Sequence, residues 1–216
     1  MQTTGIVLAA GKSTRLGRDK LSVTMPDGRA LAAWTLEAAL NSGLDQVVCV
    51  VKPEDSLEWV SEVWLRTSSY TYNSESRFRI ALCRDYAGGM ANSLHCGIWT
   101  AMEYRPKGVL ILMADQPLLT TEEINHVAAV LGDNPMCDYV SGTEGEGGKP
   151  PVAFRSHMFG PLLSLHGDEG ARKMLCNPKY QGVQVTLPQE SFWDADTEPQ
   201  LQRILNYAEE RMWREA

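Results

Sequence analysis

Positive charge is scarce in this chain of 216 residues. Its 20 lysine and arginine residues stand against 27 aspartate and glutamate residues, which leaves a net charge of −7 and an isoelectric point near 5.1. A protein that binds nucleic acid needs a basic face to neutralise the phosphate backbone. The acidic balance therefore argues against nucleic acid as a partner.

The sequence also lacks the spacings of a cysteine or histidine metal cluster. Its five cysteines, at positions 49, 83, 96, 137 and 176, contain no C-x-x-C pair and would leave one cysteine over if the others paired. The four histidines are dispersed along the chain. We therefore expect free thiols in a reducing compartment and no thiolate or imidazole metal site.

Long apolar runs are absent as well. The run from Ile6 to Ala10 is too short for a membrane span or for a secretory signal, and no basic segment precedes it. There is no internal repeat or low-complexity segment, and the length suits one α/β domain. These features predict a single cytoplasmic domain without a membrane partner.

Short apolar, β-branched runs are present, and they recur through the first half at residues 6–8, 47–51, 80–82 and 109–113. Because these runs are continuous rather than alternating, both faces of each strand should be covered, which is typical of a parallel sheet. Helical patterns lie between them at residues 30–41, 57–64 and 94–102, and Thr120-Thr-Glu-Glu123 fits the capping box of a helix that reaches Leu131. The alternation predicts an α/β fold with one doubly wound, mostly parallel, Rossmann-like sheet.

The second half is less regular. Residues 142–151 are rich in glycine and end in two prolines, so we predict a loop or hairpin tip before a short strand at residues 152–154. Residues 183–187 alternate as another strand would, and a last amphipathic helix should begin after Thr197. This half predicts an irregular, β-containing insertion.

The most informative segment runs from Gly5 to Lys20, where an apolar strand leads directly into a cationic turn broken by glycines. Glycine lets backbone N–H groups approach phosphate oxygens closely. Positive charge to neutralise those oxygens comes from Lys12, Arg15, Arg18 and Lys20. The segment therefore predicts a site for a polyphosphate.

One alternative for this segment is the P-loop of ATPases and kinases, G-x-x-x-x-G-K-[ST]. Gly11-Lys12-Ser13 matches its ending, and the apolar run 109–115 imitates the strand that ends in a magnesium-binding aspartate. The leading glycine, however, would have to stand at position 6, which is Ile6. A β-branched residue is excluded from the conformation that this glycine needs, which disfavours the P-loop.

Written as Leu8-Ala-Ala-Gly-x-Ser-x-Arg-x-Gly-x-x-Lys20, the same segment resembles the signature of nucleotidyltransferases that move a nucleoside monophosphate onto a phosphorylated acceptor. Within them it most resembles the molybdenum-cofactor cytidylyltransferases, a MobA-like group that includes an accessory protein of purine catabolism. The resemblance continues, in the family's order, through Gly89-Met-Ala-Asn-Ser-Leu94, Asp115-Gln-Pro117, Gly148-Lys-Pro-Pro-Val-Ala-Phe154, Gly167-Asp-Glu-Gly-Ala-Arg172 and Asp194-Ala-Asp-Thr197.

The resemblance implies Mg²⁺-dependent transfer of CMP from CTP to the phosphate of molybdopterin, with release of pyrophosphate. It implies catalytic roles for Arg15, Lys20 and Asp115, and magnesium ligation by Asp115 with Asp196, although Asp194 is an alternative to Asp196. The nucleotide would contact Leu8, Ala9, Ala10, Gly11, Ser13, Arg15, Lys20, Gly89 and Ser93. The acceptor would contact Met90, Asn92, Gln116, Lys149, Pro151, Asp168 and Arg172. Residues 1–118 would form the nucleotide- and metal-binding part, and residues 119–216 the acceptor-binding part.

Several of these residues also have simpler structural explanations. Asp115 would also suit a helix N-terminus or a turn, and Asp194 and Asp196 would cap the last helix almost equally well. Asp168 would serve as an N-cap, and Arg172 as a surface cation. The chain departs from the family at Lys149, where a histidine is frequent.

Three other functions stay open. The first is the same chemistry with GTP or with a sugar or alcohol phosphate acceptor, although alanine at Ala10, where guanylyltransferases have glycine, favours CTP by resemblance. The second is the P-loop NTPase or kinase. The third is a noncatalytic nucleotide sensor or a delivery module that contacts an apo-molybdoenzyme or its chaperone.

Overall fold

Eight strands form one sheet in the computed structural model, which describes residues 1–11, 19–70, 76–145 and 147–215. They are β1 (Thr3–Leu8), β2 (Gln46–Val51), β3 (Ser68–Ser69), β4 (Phe78–Leu82), β5 (Gly108–Met113), β6 (Tyr139–Thr143), β7 (Lys149–Arg155) and β8 (Gly182–Thr186). Their order across the sheet is β3-β4-β2-β1-β5-β7-β6-β8. Of these strands, β7 alone runs antiparallel to its neighbours. The predicted mostly parallel sheet is confirmed.

Helices cover both faces of the sheet. They are α1 (Leu31–Leu40), α2 (Glu62–Thr67), α3 (Met90–Met102), α4 (Thr121–Asp133), α5 (Phe159–Leu163), α6 (Arg172–Leu175) and α7 (Glu198–Glu215). One core cluster joins α1 and α4 to the sheet, and a second joins α3, α5 and α6 to its other face. Because β1, β2 and β5 are buried on both sides, their sequences are continuously apolar. The α/β architecture is therefore as predicted.

Residues 142–151, predicted as a loop or hairpin tip, form the tip of a hairpin together with the strand ends that flank it. Strand β6 ends at Thr143 and β7 begins at Lys149, so only the residues between them form the turn of an antiparallel hairpin. Gly142 is buried against Phe192, whose ring atom would lie 2.9 Å from a β-carbon at this position. Gly142 is therefore needed for close packing against Phe192. The glycine-rich composition of the segment does not distinguish this role from a role in a turn.

The helix predicted at residues 57–64 is wrong in its first half. Leu57 has a positive φ of 58°, and α2 begins only at Glu62. The Asp55 carboxylate accepts hydrogen bonds from the Leu57 amide and from Trp59 Nε1, both at 2.9 Å. This turn buries Trp59 and Val60 without a helix.

The helix boundaries predicted from capping residues hold better. Thr120 caps α4 in a capping box with Glu123, and α7 begins directly after Thr197. Helix α1 ends at Leu40 with Asn41 as its C-cap, within one residue of the predicted range 30–41. No helix in the described ranges combines the length and the apolarity needed to cross a membrane.

Candidate active site

A cavity of about 690 Å³ lies at the carboxyl-terminal edge of the sheet. Because β1, β4 and β5 are parallel, the segments that follow them meet at this edge. Strand β7 runs in the opposite direction, so its first residues, Lys149 and Pro150, reach the same place. The cavity is of the size that small-molecule ligands occupy.

The centre of the cavity holds an ion-pair cluster. The Lys20 ammonium lies 2.6 Å from Asp115 Oδ2 and 2.6 Å from Asp196 Oδ1. Asp115 follows β5, whereas Asp196 precedes α7, and the Ala195 amide donates to the Asp115 carbonyl at 3.2 Å. That hydrogen bond holds the two carboxylate-bearing segments side by side. The segments that carry Lys20, Asp115 and Asp196 therefore converge on one point.

Burial makes this cluster electrostatically strong. The Lys20 side chain is only 10% exposed, compared with 16% for Asp115 and 29% for Asp196. Burial by itself disfavours the charged form of the Lys20 side chain. Attraction to Asp115 and hydrogen bonds to both carboxylates outweigh this effect and raise the pKa of Lys20. Burial, followed by the negative charges of Asp196 and Asp115, raises the pKa of Asp194.

The two carboxylates fit a magnesium ion. Both present oxygen atoms to the same cation, which is the ammonium group of Lys20. Within the described ranges no group of three or more His, Cys, Asp or Glu side chains is arranged to hold a metal. A Mg²⁺ ion suits such a sparse site, because it keeps several waters and takes its other ligands from substrate phosphates.

One part of the cavity lining comes from the end of β1 and the start of α3, and it is called the first arm below. The small residues Ala9 and Ala10 are buried there, and the Ala9 amide donates to the Val50 carbonyl at 2.8 Å. Gly89 and Ser93 form the opposite wall. These small side chains leave room for a flat ligand close to the backbone.

A second part of the lining comes from the start of β7 and the start of α6, and it is called the cationic arm because it includes the basic residues Lys149 and Arg172. Lys149 pairs with Glu144, and its ammonium lies 5.5 Å from the centre of the Phe192 ring. Arg172 lines the same arm. The Gln116 side chain is 7% exposed, and its Oε1 atom has no hydrogen-bond partner within the described part of the protein. A ligand with anionic groups and a hydrogen-bond donor would complement this arm.

Most residues predicted for the site line this cavity. They are Leu8, Ala9, Ala10, Gly11, Lys20, Gly89, Met90, Ser93, Asp115, Gln116, Lys149, Asp168, Arg172 and Asp196. Ser13 and Arg15 lie outside the described residues, as do Lys12 and Arg18. The structure therefore brings together residues that are far apart in the sequence.

Two residues predicted to contact the acceptor, Asn92 and Pro151, are not among those that line the cavity. Asn92 Nδ2 donates to the Asp85 carbonyl at 2.8 Å, so its side chain stabilises the turn before α3 and does not line the cavity. Pro151 is buried within β7, and the cavity wall is formed by Pro150. Neighbouring strand residues point to opposite faces, which explains the shift by one position.

The sequence reasoning missed two aromatic residues of the cavity wall, Tyr86 and Phe192. The Tyr86 hydroxyl donates to the Glu54 carboxylate, which fixes the ring beside Gly89. Phe192 lies two positions before Asp194, and Tyr86 lies shortly before the Gly88-Gly89 pair. Proximity to a recognised motif was the one available signal for either residue.

The P-loop alternative does not suit this geometry. Gly5 lies within β1, paired with Val47 and Leu110, and Ile6 is fully buried in the same strand. A β-carbon at Gly5 would lie 2.7 Å from the Leu44 side chain, so this glycine serves packing against Leu44. A phosphate cradle cannot begin at a residue in the middle of a strand.

Comparison with known proteins identifies relatives of this chain. A family model described as MobA-like NTP transferase domain matches residues 5–183. Purine catabolism protein PucB of Bacillus subtilis is 34% identical over 172 residues, which are 79% of this chain and 79% of that protein. Molybdenum cofactor guanylyltransferase of Desulfosudis oleivorans is 24% identical over 212 residues, or 93% of each chain.

The fold is also found among solved structures. The manganese complex of Rv0371C from Mycobacterium tuberculosis H37Rv matches with a TM-score of 0.68 and 22% identity, covering 95% of this chain and 99% of that one. With the family model and the PucB likeness, the assignment is clear: the chain belongs to the MobA-like NTP transferase family and is a nucleotidyltransferase of that type.

Proposed function

We propose that this protein is a Mg²⁺-dependent cytidylyltransferase that moves CMP from CTP to the terminal phosphate of molybdopterin carrying molybdenum. The products are the molybdopterin cytosine dinucleotide and pyrophosphate. The observation that carries the proposal is the meeting of Lys20, Asp115 and Asp196 in one cavity whose lining also includes small residues and the basic residues Lys149 and Arg172. Such a centre suits a reaction in which a phosphate attacks another phosphate.

In the proposed reaction an oxygen of the acceptor phosphate attacks the α-phosphorus of CTP in line. A new P–O bond forms as the bond between the α-phosphorus and the bridging oxygen breaks, and the electron pair leaves with pyrophosphate. The acceptor phosphate is already an anion, so it needs no general base. Positioning and charge neutralisation therefore supply the rate.

We assign Asp115 and Asp196 to hold the Mg²⁺ ion. When bound, the ion would neutralise charge on the α-phosphate and on the leaving group. Lys20, together with Arg15, would hold the pyrophosphate oxygens as negative charge accumulates there. The manganese complex of Rv0371C, which shares this fold, supports a divalent ion at the site.

We assign the nucleoside to the arm with Leu8, Ala9, Ala10, Gly89 and Ser93. The small side chains there permit close approach of a base. Alanine at Ala10, where guanylyltransferases of the family have glycine, supports CTP. The guanylyltransferase of Desulfosudis oleivorans makes GTP the main rival.

We assign the acceptor to the cationic arm. Lys149 and Arg172 supply the charge that a phosphorylated acceptor requires, and Met90, Gln116 and Asp168 complete the wall. In this proposal residues 1–118 serve the nucleotide and the metal, and residues 119–216 serve mainly the acceptor. A cytoplasmic location and a transient contact with an apo-molybdoenzyme or its chaperone belong to the same proposal.

Pyrophosphate release measured with CTP, GTP and ATP, each with and without molybdopterin, tests the proposal directly. We expect release with CTP that depends on both molybdopterin and Mg²⁺. Release with GTP alone would refute the choice of cytidine. Release with CTP and a sugar phosphate, but not with molybdopterin, would refute the acceptor. Metal-independent nucleotide binding without turnover would point to a sensor or delivery module.

A further inference from the structure

Lys20 occupies the position between the two carboxylates that the proposed function assigns to a metal. Its Nζ atom lies 2.6 Å from one oxygen of Asp115 and 2.6 Å from one oxygen of Asp196. Side-chain exposure is 10% for Lys20, so little water surrounds this ammonium group. The protein thus satisfies its own metal-binding carboxylates with an internal cation.

We infer that Lys20 excludes free divalent metal from this site and that metal enters together with a nucleoside triphosphate, each strengthening the binding of the other. The inference rests on the proposed assignment of Asp115 and Asp196 as metal ligands. Lys20 then has two roles in sequence. It first keeps free metal out of the site, and it later contacts the phosphates of the bound nucleotide. The ligand of the free protein is accordingly the metal–nucleotide complex rather than the metal.

The electrostatics of the cluster account for the exclusion. A divalent ion bound to Asp115 and Asp196 would lie beside the Lys20 ammonium, and the two positive charges would repel each other at short range. Moving the ammonium away from both carboxylates would leave a cation without a partner in a poorly hydrated cavity. The repulsion and the loss of the Lys20 ion pairs therefore both weaken the binding of metal in the absence of nucleotide.

A triphosphate removes this opposition. Lysine carries its charge on a flexible four-carbon stem, so the ammonium can move a short distance without a change in the backbone. Lys20 and Gly11 line the same cavity, and a phosphate placed between them would offer the ammonium new oxygen partners. The carboxylates then become available to the metal. Because coupling between two ligands is reciprocal, the metal strengthens nucleotide binding by the same factor.

Mn²⁺ binding followed by electron paramagnetic resonance tests the inference without turnover. Titrations would use the full chain with and without α,β-methylene CTP, an analogue that cannot transfer its nucleotide. For the wild type we expect weak Mn²⁺ binding alone and binding tighter by about tenfold or more with the analogue, within the usual range of coupling between sites. Lys20→Met should bind Mn²⁺ alone about tenfold more tightly than the wild type, and the analogue should add little.

A matched control separates this effect from a general loss of positive charge. Lys107 is exposed and precedes β5, at the opposite edge of the sheet from the cavity. Lys107→Met changes the net charge by the same amount and should leave Mn²⁺ binding as in the wild type. Asp115→Asn should abolish binding in both the wild-type and the Lys20→Met background.

The inference is overturned if folded Lys20→Met binds Mn²⁺ alone no more tightly than the wild type. Should that variant fail to fold by circular dichroism, Lys20→Gln, which keeps a polar end, is measured in its place under the same criterion. A different result would contradict the proposed function. If CTP and GTP analogues all fail to bind, the nucleotide assignment is lost, whereas the Mn²⁺ comparison without nucleotide still decides the role of Lys20.

Discussion

Gly89 packs directly against Gly167 beside the cavity. A β-carbon built on Gly89 would lie 2.3 Å from both the carbonyl carbon and the carbonyl oxygen of Gly167. The Ala91 amide also donates to that carbonyl at 2.9 Å. Two glycine-containing motifs from different halves of the chain are thereby joined at the edge of the cavity, where Gly89 is part of the lining.

The first prediction concerns this contact. Gly89 has a φ of 112° and a ψ of 176°, a region open almost only to glycine. Gly89→Ala should lower the free energy of unfolding by about 1–3 kcal/mol and weaken nucleotide binding, because both the backbone and the Gly167 segment must shift. Urea denaturation and calorimetric titration would measure these changes.

Gly132 provides the control for that substitution. It is exposed near the end of α4, and the nearest atom that a β-carbon there would meet outside its own helix is Met1 Cβ, at an ordinary contact distance of 3.9 Å. Gly132→Ala should raise stability slightly, by about 0.5–1 kcal/mol, because alanine is the better helix residue. Equal losses in the two variants would contradict the packing argument.

The second prediction distinguishes the two carboxylates before α7. Asp196 shares Lys20 with Asp115, whereas the Asp194 side chain accepts a hydrogen bond from Gln200 at 2.9 Å. Asp196→Asn should lower kcat by about two orders of magnitude and raise the Mg²⁺ concentration needed for half activity, because it removes a charge beside the reacting phosphate. Asp194→Asn should have the smaller effect on Mg²⁺ dependence. The reverse order would assign Asp194 as the metal ligand.

The third prediction concerns the start of α4. Glu123 accepts from the Thr120 amide at 2.9 Å and from the Ser191 hydroxyl at 2.7 Å, so it joins the helix to the segment that leads to Asp194. Thr120→Ala should cost about 1 kcal/mol, the usual value of an N-cap. Glu123→Ala should cost about 2 kcal/mol, because it loses both contacts. Urea melts of both variants measure this, and a smaller loss for Glu123→Ala would contradict the link to Ser191.

The fourth prediction concerns stability at low pH. Asp138 accepts from the Gln181 amide at 2.7 Å and contacts His157 Nε2 at 2.7 Å. The Gln181 hydrogen bond, followed by the interaction with His157, holds the pKa of Asp138 below its ordinary value of 3.8. A lowered pKa means that the stabilisation is complete well above pH 4 and is lost as the pH falls through the lowered value.

Asp138→Asn should therefore be less stable than the wild type by about 1 kcal/mol at pH 7, and the difference should shrink below pH 4. Asp133→Asn, at an exposed position of α4, is the control and should have little effect at either pH. Urea melts at pH 7, 5 and 3 measure both variants. A difference that stays constant down to pH 3 would contradict the assignment to the charge of Asp138.

Much of the fold was predictable because its signals are local. Continuous apolar runs predicted the central strands, and the Thr120 capping box predicted the start of α4. The helix expected at residues 57–64 failed because Asp55 holds a turn by side-chain hydrogen bonds. Apolar spacing alone cannot detect that competition.

The candidate site was predictable to a similar degree. Family motifs selected residues that line the cavity, including Lys20, Asp115 and Arg172. Asn92 and Pro151 from the same motifs do not line the cavity, because a motif names a segment and does not determine which side chains turn toward a ligand. Tyr86 and Phe192 carry no motif at all and became recognisable only as neighbours in space.

By itself, the order of residues determined a mostly parallel sheet and a carboxylate just after β5, since propensity and periodicity act over a few residues. Only the tertiary structure decided that Lys20 joins Asp115 to Asp196, because these residues are separated by long stretches of chain. Their meeting depends on strand order and on the packing of α7, which no local pattern encodes.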